Sequence, residues 1–349
     1  MDITKATLPK HPAFSLTRTI HPVGQGAFYS ERLSEEEDKS PVFSVIYDCG
    51  GRSDNVKNEI KHLHEHVDIL FISHFHADHI SGILQLLNQK DIKQVVFPRI
   101  SPCRFLVDYV RNCINGASDT AGAFMLMILP ILSRRGNINH IGSNPSTMVT
   151  PVKGCMKFTS TPRTSIWEYI AIYDENDRLE EELLDSLKDI LKLPANYQSE
   201  YLDSNIYDHI AKSLNTEAVL DIVKEAYARV FTNRHNSYSM LVLSREVKED
   251  NKQLERTEID CLYTGDAEPI HYVIGNVQKY NPGFIQVPHH GSIHNHDPKL
   301  YGGKPTAFIS VGEKNRYRHP GLKTIIDLVN YCDKVHIITE GTGASFKKI

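Results

Sequence analysis

The stretch Ser73-His74-Phe75-His76-Ala77-Asp78-His79 sets three histidines and an aspartate within six positions. It directly follows Ile69-Leu70-Phe71-Ile72, a short continuous apolar run that reads as a strand buried on both faces. Beyond it, Ile80, Ile83, Leu84 and Leu87 have the spacing of an amphipathic helix. The four polar side chains therefore sit on the loop between a strand and a helix. Imidazole nitrogens and carboxylate oxygens converging from such a loop suit a borderline divalent metal such as zinc. A histidine-rich surface loop is the plainer alternative, and it leaves the crowding of four ligand-type side chains unexplained.

Other strand ends carry further candidates. Residues 42–47 read as a strand that runs into Asp48-Cys49-Gly50-Gly51. Residues 259–263 form another, ending in Thr264-Gly265-Asp266, where the carboxylate is expected to be a ligand able to bridge two cations. A third, over 284–288, leads into His289-His290-Gly291-Ser292. Adjacent residues of a strand point to opposite faces, so one of the two histidines is expected as a ligand. His289 is slightly favoured over His290, the other ring being left to meet substrate or a neighbouring carboxylate. Strands are also expected over 94–98, 238–244, 307–312 and 334–339, with a helix over 322–331.

Residues 100–235 differ in character. Helical spacing prevails over 105–114, 179–191 and 219–230, with a strand-like patch at 156–161. We read one domain over 1–349 with a largely helical insertion at 100–235, forming a lid or wall beside the metal site. At 40% hydrophobic and 23% charged residues the chain has the make-up of an ordinary globular protein. A formal charge of −4 excludes a generally basic, nucleic-acid-coating protein but leaves room for a local basic groove. No apolar run approaches the roughly 20 residues of a membrane span. The N-terminus has no signal-peptide core, and the six cysteines include no C-x-x-C pair. Reduced thiols and a cytoplasmic location are the expectation.

The His-x-His-x-Asp-His spacing resembles that of the metallo-β-lactamase superfamily. The resemblance implies an α/β (α+β) fold, a four-layer αβ/βα sandwich of two mixed sheets with helices outside. It implies two divalent ions, zinc or manganese. His74 and His76 would hold one, and Asp78 and His79 the other. Asp266 would be shared, and His289 or His290 would complete the second. Asp48 would orient the histidine loop through hydrogen bonds without touching a metal.

Several segments, in order, resemble one branch more narrowly: the C-terminal hydrolase domain of the competence DNA-uptake protein ComEC and its stand-alone relatives. They are Val23-Gly24-Gln25-Gly26, Tyr47-Asp48-Cys49-Gly50-Gly51 and the His74–His79 loop, then the runs at 236–243, 263–266 and 287–292. Ile309-Ser310-Val311-Gly312 with Asn315 and His319-Pro320 completes the series. Pro22 departs from the branch, which usually has an aspartate there. A further histidine ligand common in the superfamily has only His140 and His235 as candidates.

A two-metal centre generates a hydroxide nucleophile at neutral pH and stabilises an anionic transition state. It does not by itself choose between phosphodiesters and carbonyl substrates. Lys314, Arg316, Arg318 and His319, on a loop that the branch places at the site, favour a phosphodiesterase or nuclease acting on DNA or RNA. Asp78, His290 and His319 are the candidate catalytic residues, His319 as general acid. Ser292, Asn315 and Arg316 are the candidate substrate contacts. A carbonyl hydrolase of lactones, thioesters or lactams is the alternative. A partner-dependent subunit of a multi-protein system, antiviral ones included, docked through the insertion, is a third reading.

Overall fold

The structure, a computed structural model, describes residues 14–35, 41–100, 102–116, 118–132, 147–160, 166–173, 185–193, 204–230, 239–247, 258–269 and 280–348. Strands β1 (Phe14–Ile20), β2 (Phe28–Glu35), β3 (Pro41–Cys49), β4 (His66–Phe71), β5 (Asp91–Pro98) and β6 (Met148–Val152) form most of the first sheet. The second sheet holds β7 (Gly154–Thr159), β8 (Trp167–Tyr173), β9 (Leu241–Glu246), β10 (Cys261–Tyr263), β11 (Phe284–Gln286), β12 (Thr306–Ser310) and β13 (Lys334–Ile338). A last strand, β14 (Ala344–Lys348), returns to the first sheet, giving the orders β14-β1-β2-β3-β4-β5-β6 and β13-β12-β11-β10-β9-β8-β7. Each sheet is antiparallel in one half and parallel in the other: β3 to β6 and β10 to β13 run parallel.

The expected α/β sandwich is the observed one. Ile69, Leu70 and Phe71 of β4 are all buried, because this strand lies between the opposing sheet and flanking helices. Helices Ser53–His62 and Ile83–Gln89 pack Val56, Ile60, Ile83, Leu86 and Leu87 into the core on the first sheet's side. Helix Leu322–Tyr331 sets Leu328 against Ile285, Ala307 and Ile309 of the second sheet. Between the sheets Tyr29, Tyr47, Tyr263 and Phe308 meet with ring centroids 4.9–6.2 Å apart. A buried ion pair lies in the same layer, with Arg18 Nη2 2.7 Å from Glu31 Oε1. Tyr263 and Tyr169 hydroxyls and Ser244 Oγ donate to the same carboxylate at 2.8, 2.9 and 2.6 Å, so the charge is fully hydrogen-bonded.

Two features depart from the sequence reading. The chain does not end on the strand over 334–338: β14 turns back and pairs antiparallel with β1, which makes β1 an interior strand. Ala-Ser-Phe-Lys-Lys is too polar to announce a strand, and it takes an edge, where lysine is common. Strands β6, β7 and β8 also fall inside 100–235, so the described helices there form two groups, one over 102–132 and another over 185–230. Residues 179–184, and the alternative ligands His140 and His235, lie outside the described residues. Among the described residues no helix is long and apolar enough to cross a membrane. Cys49, Cys113, Cys155, Cys261 and Cys332 are free thiols.

Candidate metal centre

The loops that follow β3, β4, β10 and β11 meet at one edge of the sandwich, where the candidate ligands come together. The sequence Ala-Asp-His-Ile at the end of the histidine loop forms a single helical turn, Ala77–Ile80, with His79 and Ile80 buried. Two glycines allow the loops to meet. A Cβ on Gly50 would lie 2.4 Å from the Asp78 carbonyl oxygen. Gly265 has φ +54°, and a Cβ there would lie 2.8 Å from that of Ser73. The Val23–Gly26 turn braces the same edge: Ala27 N–H donates to Asp78 O at 3.0 Å, and Gly312 N–H to Gln25 Oε1 at 3.2 Å.

Asp48, at the end of β3 with φ 56°, organises the histidine loop. Its Oδ1 accepts from Ser73 N–H at 2.7 Å. Its Oδ2 accepts from Ser73 Oγ and lies 2.7 Å from His79 Nδ1. The carboxylate thus points at the back of a candidate ligand, leaving His79 Nε2 turned inward, 3.2 Å from Asp266 Oδ1. His74 is fixed through Nδ1 by Ser73 Oγ at 2.9 Å and Ser239 Oγ at 3.1 Å. Its Nε2 lies 2.9 Å from His76 Nδ1 and 3.6 Å from Asp266 Oδ2.

The two adjacent histidines overturn the premise that only one can face the centre. His289 and His290 are not on a strand but in the turn Pro288–Gly291, both left-handed, at φ 46° and 54°. His290 Nδ1 is held by Ser310 O at 2.8 Å, and its Nε2 meets Asp78 Oδ2 at 3.2 Å. His289 Nδ1 is held by Asn295 Oδ1 at 2.7 Å, and its Nε2 stands 3.6 Å from Asp266 Oδ2. Each ring therefore turns Nε2 toward a central carboxylate. His290, the less favoured in the sequence reading, makes the shorter contact.

Two donor groups converge within 4.8 Å: His74, His79 and Asp266, and Asp78, His79 and His290. One imidazole nitrogen serves one ion, so two ions at once require His79 to join Asp78 and His290. That leaves His74 with Asp266, while His76 belongs to neither group and meets His74 Nε2 through Nδ1 at 2.9 Å. Mixed nitrogen and carboxylate donors of this kind fit zinc or manganese. Electrostatics agree. Burial, then the neighbouring His79 and His76, holds His74 well below the ordinary histidine value, and burial, then Arg111, pushes His76 down to about 4. Both rings are thus neutral, as ligands must be. Burial also opposes charge on His79, but Asp266 and Asp48 outweigh it and raise it well above that value. Burial likewise works against His290, and Asp78 and Asp266 raise it. In the protein alone, protons on these two rings balance carboxylates that a cation would otherwise neutralise.

The candidate substrate contacts fare differently. Asn315 spends its amide inside its own loop, donating to Gly312 O at 3.0 Å and His319 O at 2.9 Å and accepting from His319 N–H at 2.8 Å. It clamps the loop. Ser292 is buried and its Oγ accepts from His294 N–H at 3.3 Å, closing the next turn. Arg316 is exposed, with its guanidinium over the Tyr317 ring, 5.0 Å from the centroid. His319 is half-buried beside His289, ring centroids 5.4 Å apart. Asp108 and Arg111 escaped the sequence reading. Both come from helix Pro102–Ile114 and both reach His76. The signal was Arg104, Asp108 and Arg111 at i, i+4 and i+7 on one helical face. The same helix ties itself to the histidine loop through Asn112 Nδ2, which donates to Phe75 O at 2.7 Å.

Residues 43–102, from β3 through the histidine loop to the start of that helix, match the family model of the metallo-beta-lactamase superfamily. Among solved structures the chain is similar to human tRNase Z, short form, at 10% identity and a TM-score of 0.40, over 94% of this chain and 98% of that one. It is similar also to Zn(2+)-bound PqqB from Methylobacterium extorquens, at 6% identity and a TM-score of 0.42, over 94% and 99% of the two chains. No curated protein matches the sequence.

Proposed function

We propose that this chain is a metallo-beta-lactamase superfamily hydrolase and a metal-dependent phosphodiesterase, a nuclease acting on DNA or RNA, of the ComEC-like branch. Bound divalent ions would supply Lewis acidity and an activated water. His74, His76 and Asp266 would hold one ion, and Asp78, His79 and His290 the other, with His289 beside Asp266.

The observation that carries the choice of phosphodiester is the anchoring of the basic loop. Lys314, Arg316 and Arg318 are exposed, yet their loop is pinned at both ends. Gly312 N–H donates to Gln25, Gly321 N–H donates to Gly291 O at 3.0 Å, and Asn315 clamps the interior. A loop anchored in this way would present its cations at the rim of the centre, where flanking phosphates would lie. His319 belongs to neither donor group and stands next to His289, as suits a group that meets substrate.

The test is the purified, zinc- or manganese-loaded protein against single-stranded DNA, duplex DNA, RNA and bis(p-nitrophenyl) phosphate, with a lactone and a thioester in parallel. Cleavage of a phosphodiester that is lost with chelator and in Asp78→Ala is the expected result. Turnover of the lactone or thioester alone would replace this reading with carbonyl hydrolysis.

A further inference from the structure

His76 Nε2 has two neighbours, both from helix Pro102–Ile114, that demand opposite things of it. Arg111 Nη1 lies 2.7 Å away and can only donate. Asp108 Oδ1 lies 3.5 Å away and, as a carboxylate, can only accept. Neither is placed by chance. Asp108 is fully buried and held by Arg104, Nη2 to Oδ1 at 3.0 Å and Nε to Oδ2 at 3.2 Å. Arg111 is hydrogen-bonded to Tyr227 of helix Glu217–Val230.

The tautomer of His76 follows from which neighbour it uses. With Arg111 donating, Nε2 carries the lone pair and the proton sits on Nδ1. That proton then bonds to His74 Nε2 at 2.9 Å, and His74 Nδ1–H in turn donates to Ser73 or Ser239. In this arrangement His76 has no lone pair to offer a cation. With Asp108 accepting, the proton sits on Nε2, and the lone pairs of His76 Nδ1 and His74 Nε2 face each other. A cation between them relieves that repulsion, as does a shift of the His74 proton from Nδ1 to Nε2.

We propose that Asp108 and Arg111 are opposed positioning residues, and that helix Pro102–Ile114 sets whether His76 can act as a ligand. A cation seated against Nδ1 would take the place of its proton, which would pass by exchange with water to Nε2, where Asp108 accepts it and Arg111 is displaced. The inference rests on the metal-centre reading above.

The first measurement needs no substitution. Long-range proton–nitrogen correlation spectra of histidine-labelled protein, stripped and then zinc-loaded, read the tautomer of His76 directly. Its Nε2 should be unprotonated in the stripped protein and protonated with zinc. Zinc affinity is read separately by competition with a chromophoric chelator. Asp108→Asn should weaken it about 10–100-fold, the usual scale for the residue that orients a ligand histidine. Arg111→Met should tighten it about tenfold, the scale of one charge-assisted hydrogen bond. Because Asp108→Asn leaves Arg104 buried without its partner, the double variant Arg104→Gln/Asp108→Asn is measured alongside and should show the same weakening. Zinc uptake with an unchanging His76 tautomer, or Arg111→Met weakening zinc as Asp108→Asn does, overturns this inference alone. A protein that takes up neither zinc nor manganese overturns the metal-centre reading and the inference with it.

Discussion

Asp48 Oδ2 lies 2.7 Å from Nδ1 of His79, the ring whose opposite nitrogen faces Asp266. One carboxylate thereby fixes both the tautomer and the direction of the histidine common to the two donor groups. Asp48→Asn tests this cleanly, because asparagine tolerates the left-handed backbone found there. Its zinc affinity should fall about 10–100-fold with little change in fold. Asp48→Ala should in addition lower the melting temperature, since it leaves the buried Ser73 N–H and hydroxyl without their acceptor. Unchanged zinc affinity in Asp48→Asn would mean that His79 is held without this bond.

Proton competition sets the pH dependence of metal loading. His79 and His290 are raised above the ordinary histidine value, so a cation must expel protons from them even above about pH 6.5. Zinc affinity should keep climbing above about pH 6.5, and not level off at the usual histidine titration. The sign for folding is the reverse. A raised histidine contributes stability that is full below its unfolded value and is lost as pH rises through its folded one. Metal-stripped protein should therefore lose stability in that range, whereas zinc-loaded protein should not. Calorimetry and thermal melts at stepped pH read both, and an affinity flat above pH 6.5 would contradict the ion pairs described.

The buried Arg18–Glu31 pair makes a stability prediction separate from the centre. Glu31→Ala leaves a guanidinium uncompensated between the sheets and strips the acceptor from Tyr263, Tyr169 and Ser244. Breaking such a pair costs about 3–5 kcal/mol. Arg18→Met/Glu31→Gln removes both charges but keeps an acceptor, and should recover much of that loss in a urea titration. Strictly additive losses from the two single changes would show that the groups act independently.

What the sequence could reveal depended on how local the cause was. The histidine loop was legible because all its donors lie within one turn of chain behind one apolar strand. Asp48 and Asp266 were legible as carboxylates at strand ends. His289 and His290 misled because the alternation rule holds for extended backbone, and here two non-glycine residues are left-handed. Asn315 was read as a substrate contact, and its observed partners are backbone groups three and four residues away, a turn that no apolar pattern announces. Asp108 and Arg111 showed in the sequence only as charges on one helical face, since their reach to His76 exists only once helix Pro102–Ile114 packs under the loop. β14 was missed because its pairing partner lies at the other end of the chain.

His319 separates the phosphodiester reading from its rival. Burial, then the nearby His289 and His290, pushes it down to about 4, so in the protein alone it is neutral at pH 7. A neutral imidazole can orient an oxygen through N–H, but it becomes a general acid only if an anionic substrate beside it raises that value. A phosphodiester brings such charge; a lactone does not. His319→Ala should then lower turnover about 10²–10⁴-fold on a phosphodiester with a poor leaving group. The cost should be far smaller on bis(p-nitrophenyl) phosphate, whose leaving group needs no proton, and zinc content should stay the same. Arg316→Ala should mainly raise KM, and more so at low salt if nucleic acid is bound. Asn315→Ala, which releases the clamp on both residues, should combine the two effects. If His319→Ala instead removes zinc, the ring is a ligand and the acid must come from elsewhere. If none of the three changes touches phosphodiester cleavage, the anchored basic loop does not face the substrate.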